Sequence, residues 1–120
     1  MKNLNQYIYE KLTINKHLKY DSTDFLNEIG TDSILIDTYW EETQVDLMEI
    51  DFTKNVKVFD ILSTIYDVGG KGDLIYFFYY IQHTVQQYFE DEGKITEEIL
   101  FDIILDADLS DFEDWIERMR

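Results

Sequence analysis

The sequence predicts a mainly α (α+β) fold, a compact single-domain bundle of five or six helices with a β-hairpin at about 33–52. Three observations carry that expectation. Apolar residues recur at three- and four-residue spacings along most of the 120-residue chain, glycines stand where helices should stop, and there is no proline. Proline commonly punctuates loops and helix starts, so its absence fits helices joined by short connections. A chain of this length buries roughly two thirds of the surface its unfolded form exposes. Hydrophobic residues at 45%, with 16% aromatic, are enough for one core. Residues 1–120 are therefore read as one acidic globular domain.

Taken in order, Leu4, Tyr7, Ile8 and Leu12 outline an amphipathic helix over 3–12. The run from Thr13 to Tyr20 loses that pattern. Asp21 or Ser22 then caps a short helix through Phe25, Leu26 and Ile29, with Gly30 placed to end it in the left-handed conformation. Residues 33–52 satisfy two patterns at once. Ile34, Ile36, Thr38 and Trp40 alternate as a strand does, and the enrichment in Ile, Thr, Tyr, Trp and Val favours a hairpin turning near Glu41–Gln44. A helix over 38–50 is the competing reading.

From Asn55 the spacing of Val58, Leu62, Ile65 and Tyr66 is helical, and Gly69-Gly70 stops it. Asp73 caps the strongest element, in which Leu74, Phe77, Phe78, Ile81, Val85, Tyr88 and Phe89 form one apolar stripe ended by Gly93. Such a stripe at helical spacing reads as core, not as a cofactor or membrane face. Thr96 opens the next helix with Glu97 and Glu98 in its first turn, where carboxylates suit the positive end of the helix dipole. Ser110 with Glu113 three residues on has the form of a capping box for a last short helix carrying Phe112, Trp115, Ile116 and Met119.

Charge is the strongest signal. Ten Lys and Arg against 26 Asp and Glu leave a formal net charge of −16. Residues 1–20 are net +3, whereas residues 21–53 hold ten acids and no Lys or Arg, and residues 94–120 are net −6. Such a field repels phosphate backbones and anionic lipid, which argues against direct binding of nucleic acid or a membrane. It attracts a basic protein surface instead.

Chemistry is sparse. There is no cysteine, so disulfides, thiolate metal sites and cysteine nucleophiles are excluded. His17 and His83 are the only histidines, and His83 is followed by Gln87 and Glu90, not by the paired ligands of a metal-binding helix. Gly69-Gly70-Lys71-Gly72 lacks the spacing of a phosphate-binding loop. Asp106, Asp108, Ser110 and Glu117 match positions 1, 3, 5 and 12 of a calcium-binding loop, but Asp111 stands where glycine is needed. No cofactor is expected, and the chain is read as non-catalytic. The opening MKNLNQYIYEKL lacks the roughly 7–15-residue apolar core of a secretory signal, and no apolar run is long enough to span a membrane. A soluble cytoplasmic protein is expected.

The function these features imply is an acidic interaction protein that inhibits a basic nucleic-acid-binding protein or nuclease by mimicking nucleic-acid charge. Glu41, Glu42, Asp46, Glu49 and Asp51 form one candidate contact patch, and Asp106, Asp108, Asp111, Glu113 and Asp114 a second. In size, charge and composition the chain resembles the small acidic anti-restriction and anti-CRISPR proteins of phages, and the immunity proteins that block nuclease toxins. The alternative is a small structural or assembly subunit, virion or accessory, whose basic amino-terminal helix docks on a neighbour to give a homo-oligomer.

Overall fold

A computed structural model describes residues 24–119, and the expected helix over 3–12, the basic run after it, His17 and the caps at Asp21 and Ser22 lie outside those residues. Five helices make up the described fold: α1 (Asp24–Gly30), α2 (Ser33–Thr43), α3 (Val56–Glu92), α4 (Glu97–Asp106) and α5 (Leu109–Met119). Two short 3-10 turns, Leu47–Glu49 and Phe52–Lys54, bridge α2 and α3. The described residues contain no strand, so the hairpin at 33–52 is overturned.

The reason lies in which residues of that stretch are buried. Asp32 accepts the amide of Leu35 at 3.0 Å and so starts a helix one residue before the alternating run begins. Leu35, Tyr39 and Thr43 then fall four apart on one face and are buried, while Ile34 and Trp40, which suggested a strand, stand 71% and 51% exposed. The helix ends at Gln44, whose left-handed backbone (φ 59°) lets its amide reach Trp40 O at 3.0 Å. The competing helix over 38–50 therefore starts too late and runs too far. Gly30 does end α1, but without the left-handed backbone expected of it.

Helix α3 is the axis of the bundle and packs against each of the other four helices. Its interruption is a single residue, Gly70, at φ 73° and ψ −165°. The helix resumes at Lys71, so Asp73 sits inside the second arm instead of capping it. Gly93 closes that arm as expected, left-handed at φ 80°, its amide bonded to Phe89 O at 2.8 Å. Thr96 caps α4 by accepting the amide of Ile99 at 3.1 Å. For α5 the cap is Asp108, which accepts the amide of Asp111 at 3.0 Å, and not Ser110, which lies within the helix. Positions 5 to 12 of the calcium-like run are thus helical, not a loop.

One core serves all five helices. Its largest fully buried side chains are Tyr39, Phe77, Phe78 and Phe112. They meet edge to face: Tyr39–Phe78 with centroids 6.2 Å apart, Phe52–Phe78 at 5.7 Å and Phe77–Phe112 at 5.2 Å. Each such contact adds about 0.5–1.5 kcal/mol beyond the area it buries. The Tyr39 hydroxyl donates to Phe78 O, tying α2 to the middle of α3. Burial holds that phenol well above its ordinary titration range, with the neighbouring Tyr79 adding to the shift. No helix among the described residues is long and apolar enough to cross a membrane.

Candidate functional site

Hydrogen bonds, three of them local caps, decide where half of the candidate carboxylates point. Asp46 accepts the Met48 amide at 3.0 Å and opens the first 3-10 turn. Asp51 accepts the Thr53 amide at 3.0 Å and also the Thr53 hydroxyl, and that side-chain hydrogen bond leads the causes that hold its carboxyl below the ordinary range. Asp108 caps α5, Asp111 accepts the Tyr80 hydroxyl at 2.6 Å, and Glu42 accepts the Gln86 amide group at 2.9 Å. These five acids help build the fold. Glu41, Glu49, Asp106 and Asp114 are exposed, and Glu113 is half-buried. None of the ten belongs to an ion pair among the described residues, where Lys54 pairs with Glu97 at 3.2 Å.

The two patches do not share a face. Glu42 reaches α3 at Gln86, whereas the second patch borders the stripe Tyr80, Thr84 and Tyr88 of the same helix. Thr84 and Gln86 are two residues apart, about 200° around the helix axis. Glu42 and the second patch therefore flank α3 on nearly opposite sides. On the Gln86 side the negative surface continues to exposed Glu90, one turn on, whereas exposed Asp91, three residues after Tyr88, falls on the Thr84–Tyr88 side.

A second pattern emerges from the helix ends. Four of the five described helices finish with an acid and no base in the last turn: Glu28 in α1, Glu41 and Glu42 in α2, Glu90, Asp91 and Glu92 in α3, and Asp106 in α4. Only α5 has a base there, Arg118. Carboxylates at the negative end of a helix dipole are on the wrong side by about 0.3–1 kcal/mol each. The sequence displays the charges, but only helix boundaries reveal that they oppose the dipoles.

Two open grooves adjoin these acids. One, of about 390 Å³, runs between α1 and the 3-10 turns and is lined by Leu26, Leu47, Met48, Ile50 and Asp51 among others. The other, of about 440 Å³, lies between α3 and the junction of α4 with α5. Tyr80, Thr84 and Tyr88 form its α3 wall, Ile81 and Ile103 contribute apolar surface, and Asp106 and Asp108 border it. Burial, first, and then the bond to Asp111 hold the Tyr80 hydroxyl above its ordinary range. His83 also lines this groove and shares a 3.1 Å hydrogen bond with Gln87. No group of three His, Asp or Glu among the described residues is arranged to hold a metal ion.

No protein-family model, curated protein or solved structure matches the chain.

Proposed function

We propose that this protein is a non-catalytic inhibitor acting in the cytoplasm, whose carboxylates occupy phosphate positions in the basic cleft of a nucleic-acid-binding protein or nuclease, as phage anti-defence or immunity proteins do. The observation that supports this reading is the placing of acids against the dipoles of four helices, with none of the ten candidate carboxylates in an ion pair among the described residues. A charge arrangement tuned only for stability would put lysine or arginine at those ends. Uncompensated negative charge of this kind is neutralised by a cationic partner, which also gains from faster encounter.

The test is to titrate the protein into nucleases and DNA-binding proteins that have basic clefts, reading DNA cleavage and DNA binding at low and high salt. The expected result is stoichiometric loss of DNA binding that salt relieves. Charge reversal should use Glu41, Glu49, Asp106 and Asp114, which cap nothing, so that binding is lost while the melting temperature is kept. Reversed proteins that inhibit as well as the parent would remove the proposal.

The competing assembly reading draws on Ile34 and Trp40, two large apolar side chains exposed on the outer side of α2. Light scattering at low and high salt separates the two. A monomer at both favours the inhibitor, and an oligomer the assembly subunit, salt-sensitive if held by charge and salt-resistant if held by Ile34 and Trp40.

A further inference from the structure

The geometry points to the 440 Å³ groove between α3 and the α4–α5 junction as an arginine site, taking one guanidinium side chain from the basic partner. This rests on the proposed function and specifies where, and through which side chain, the partner is gripped. The volume is that of a small-molecule pocket. What distinguishes the groove is its electrostatics.

At the groove's edge α4 ends at Asp106, with the Ala107 amide on Ile104 O at 3.3 Å, so the negative pole of that helix lies there. Asp106 stands in that last turn, with no base in it. Asp108 follows two residues on, one oxygen engaged by the Asp111 amide and the other accepting no bond from a described residue. No lysine or arginine is among the lining residues. Two carboxylates and a helix carboxyl terminus thus converge on one apolar-floored groove. Asp106 opposes the dipole of α4 and is relieved by a cation, whereas Asp108, the cap of α5, sits at the favourable end of its helix and adds its charge to the groove.

The remaining walls select among cations. Tyr88 is 46% exposed and lines the groove, while Tyr80, on the same stripe, is packed against Phe112 and Trp115. A guanidinium is planar, stacks on aromatic faces and carries five donors in a fixed fork, so it can lie against a ring and bond two carboxylates at once. An ammonium is compact, strongly hydrated and unable to stack in that way. Ile81 and Ile103 provide apolar surface for the aliphatic stem of the side chain. Phosphates and carboxylates are repelled.

The test is calorimetric titration of the full chain with an eight-residue arginine peptide and its lysine counterpart. The arginine peptide should bind about tenfold more tightly, the ratio that one stacked, bidentate contact supplies. Asp106→Asn, Asp108→Asn and Tyr88→Leu should each remove that preference, and Asp108→Asn keeps the cap of α5 because asparagine caps as well as aspartate. Asp106→Lys is the folding control: it should abolish binding while the melting temperature holds or rises. Glu41→Gln and Glu49→Gln should leave the preference intact. Equal binding of the two peptides, or an arginine preference that survives in the groove variants, would overturn the site. The inhibitor reading is judged separately: groove variants that still block a basic nuclease, while the Glu41 and Glu49 reversals do not, would sink the arginine site alone.

Discussion

The Asp73 carboxylate lies over the Cα of Gly69, so close that a methyl group at 69 would run into the Oδ2, Cγ and Cβ atoms of Asp73 well inside 3.0 Å. Only a residue without a side chain fits at that point, four residues before the acid on the next turn. Gly70 beside it has open space around its Cα but a left-handed backbone.

Gly69→Ala and Gly70→Ala should both destabilise, for different reasons. At 69 the clash involves Cβ as well as the carboxylate tip, so the backbone must shift, at about 1–3 kcal/mol. At 70 the backbone (φ 73°, ψ −165°) lies in a region that essentially only glycine adopts, and alanine there costs about 1–3 kcal/mol. Combining Gly69→Ala with Asp73→Ala should recover only the part of the first loss that comes from Oδ2 and Cγ, because alanine keeps the Cβ, and none of the second. Thermal denaturation of the four proteins checks this, and a Gly69→Ala protein as stable as the parent would contradict the close approach.

Replacing acids at helix ends should stabilise the protein. Glu41→Lys, Asp91→Lys and Asp106→Lys each move the last turn of a helix from the wrong sign of charge to the right one, worth about 0.3–1 kcal/mol apiece at low ionic strength. The gain should fade in high salt. Melting curves at two salt concentrations decide it, and a fall in stability for all three would show that these acids make favourable contacts of their own.

Removing the cap of α5 should cost about 1 kcal/mol in Asp108→Ala and almost nothing in Asp108→Asn. Chemical denaturation reads the difference. Equal losses would mean that charge, not hydrogen bonding to the Asp111 amide, is what Asp108 supplies.

Alkali should unfold the protein by way of Tyr39. Burial raises its native titration range far above the ordinary value, with Tyr79 and Tyr80 shifted the same way. The stability these phenols contribute is fully present below their unfolded value of about 10 and is lost as pH rises through the raised native values. Tyr39→Phe should flatten that decline and, at neutral pH, cost about 0.5–1.5 kcal/mol for the hydrogen bond to Phe78 O. An unchanged alkaline slope would place the sensitive group elsewhere.

Asp60 gives the opposite exercise at low pH. Burial raises its carboxyl above the ordinary value, so its stabilising contribution exists in acid and disappears as pH rises past that value. Asp60→Asn should therefore raise the melting temperature at pH 7 and leave it unaltered in acid. A lower melting temperature at neutral pH would overturn the sign.

How much of this was legible before the structure depended on whether the deciding residue was local. Gly93 and Thr96 act within one turn of their own positions, and both boundaries were read correctly. The stretch 33–52 failed because Ile34, Ile36, Thr38 and Trp40 satisfy a two-residue period by coincidence, while the buried face is Leu35 and Tyr39, and Tyr39 packs against Phe78 far along the chain. Ser110 reads as the cap because Glu113 completes a capping-box pattern, but the helix starts two residues earlier and Asp108 caps it. The ten carboxylates could be named from sequence, but not that Glu42 meets Gln86 while Asp106, Asp108 and Asp111 lie by Tyr80, on another side of α3. The groove needed Tyr80 to meet Asp111 across 31 positions, a pairing that periodicity does not encode.

The interruption at Gly70 has a dynamic consequence. An unbroken helix of 37 residues would tend to protect its amides as one cooperative unit. Here the hydrogen-bond ladder is broken partway, so residues 56–69 and 71–92 can open separately. Deuterium uptake should accordingly divide into two classes along α3, the slower in the second arm, where Phe77 and Phe78 anchor it to the aromatic core.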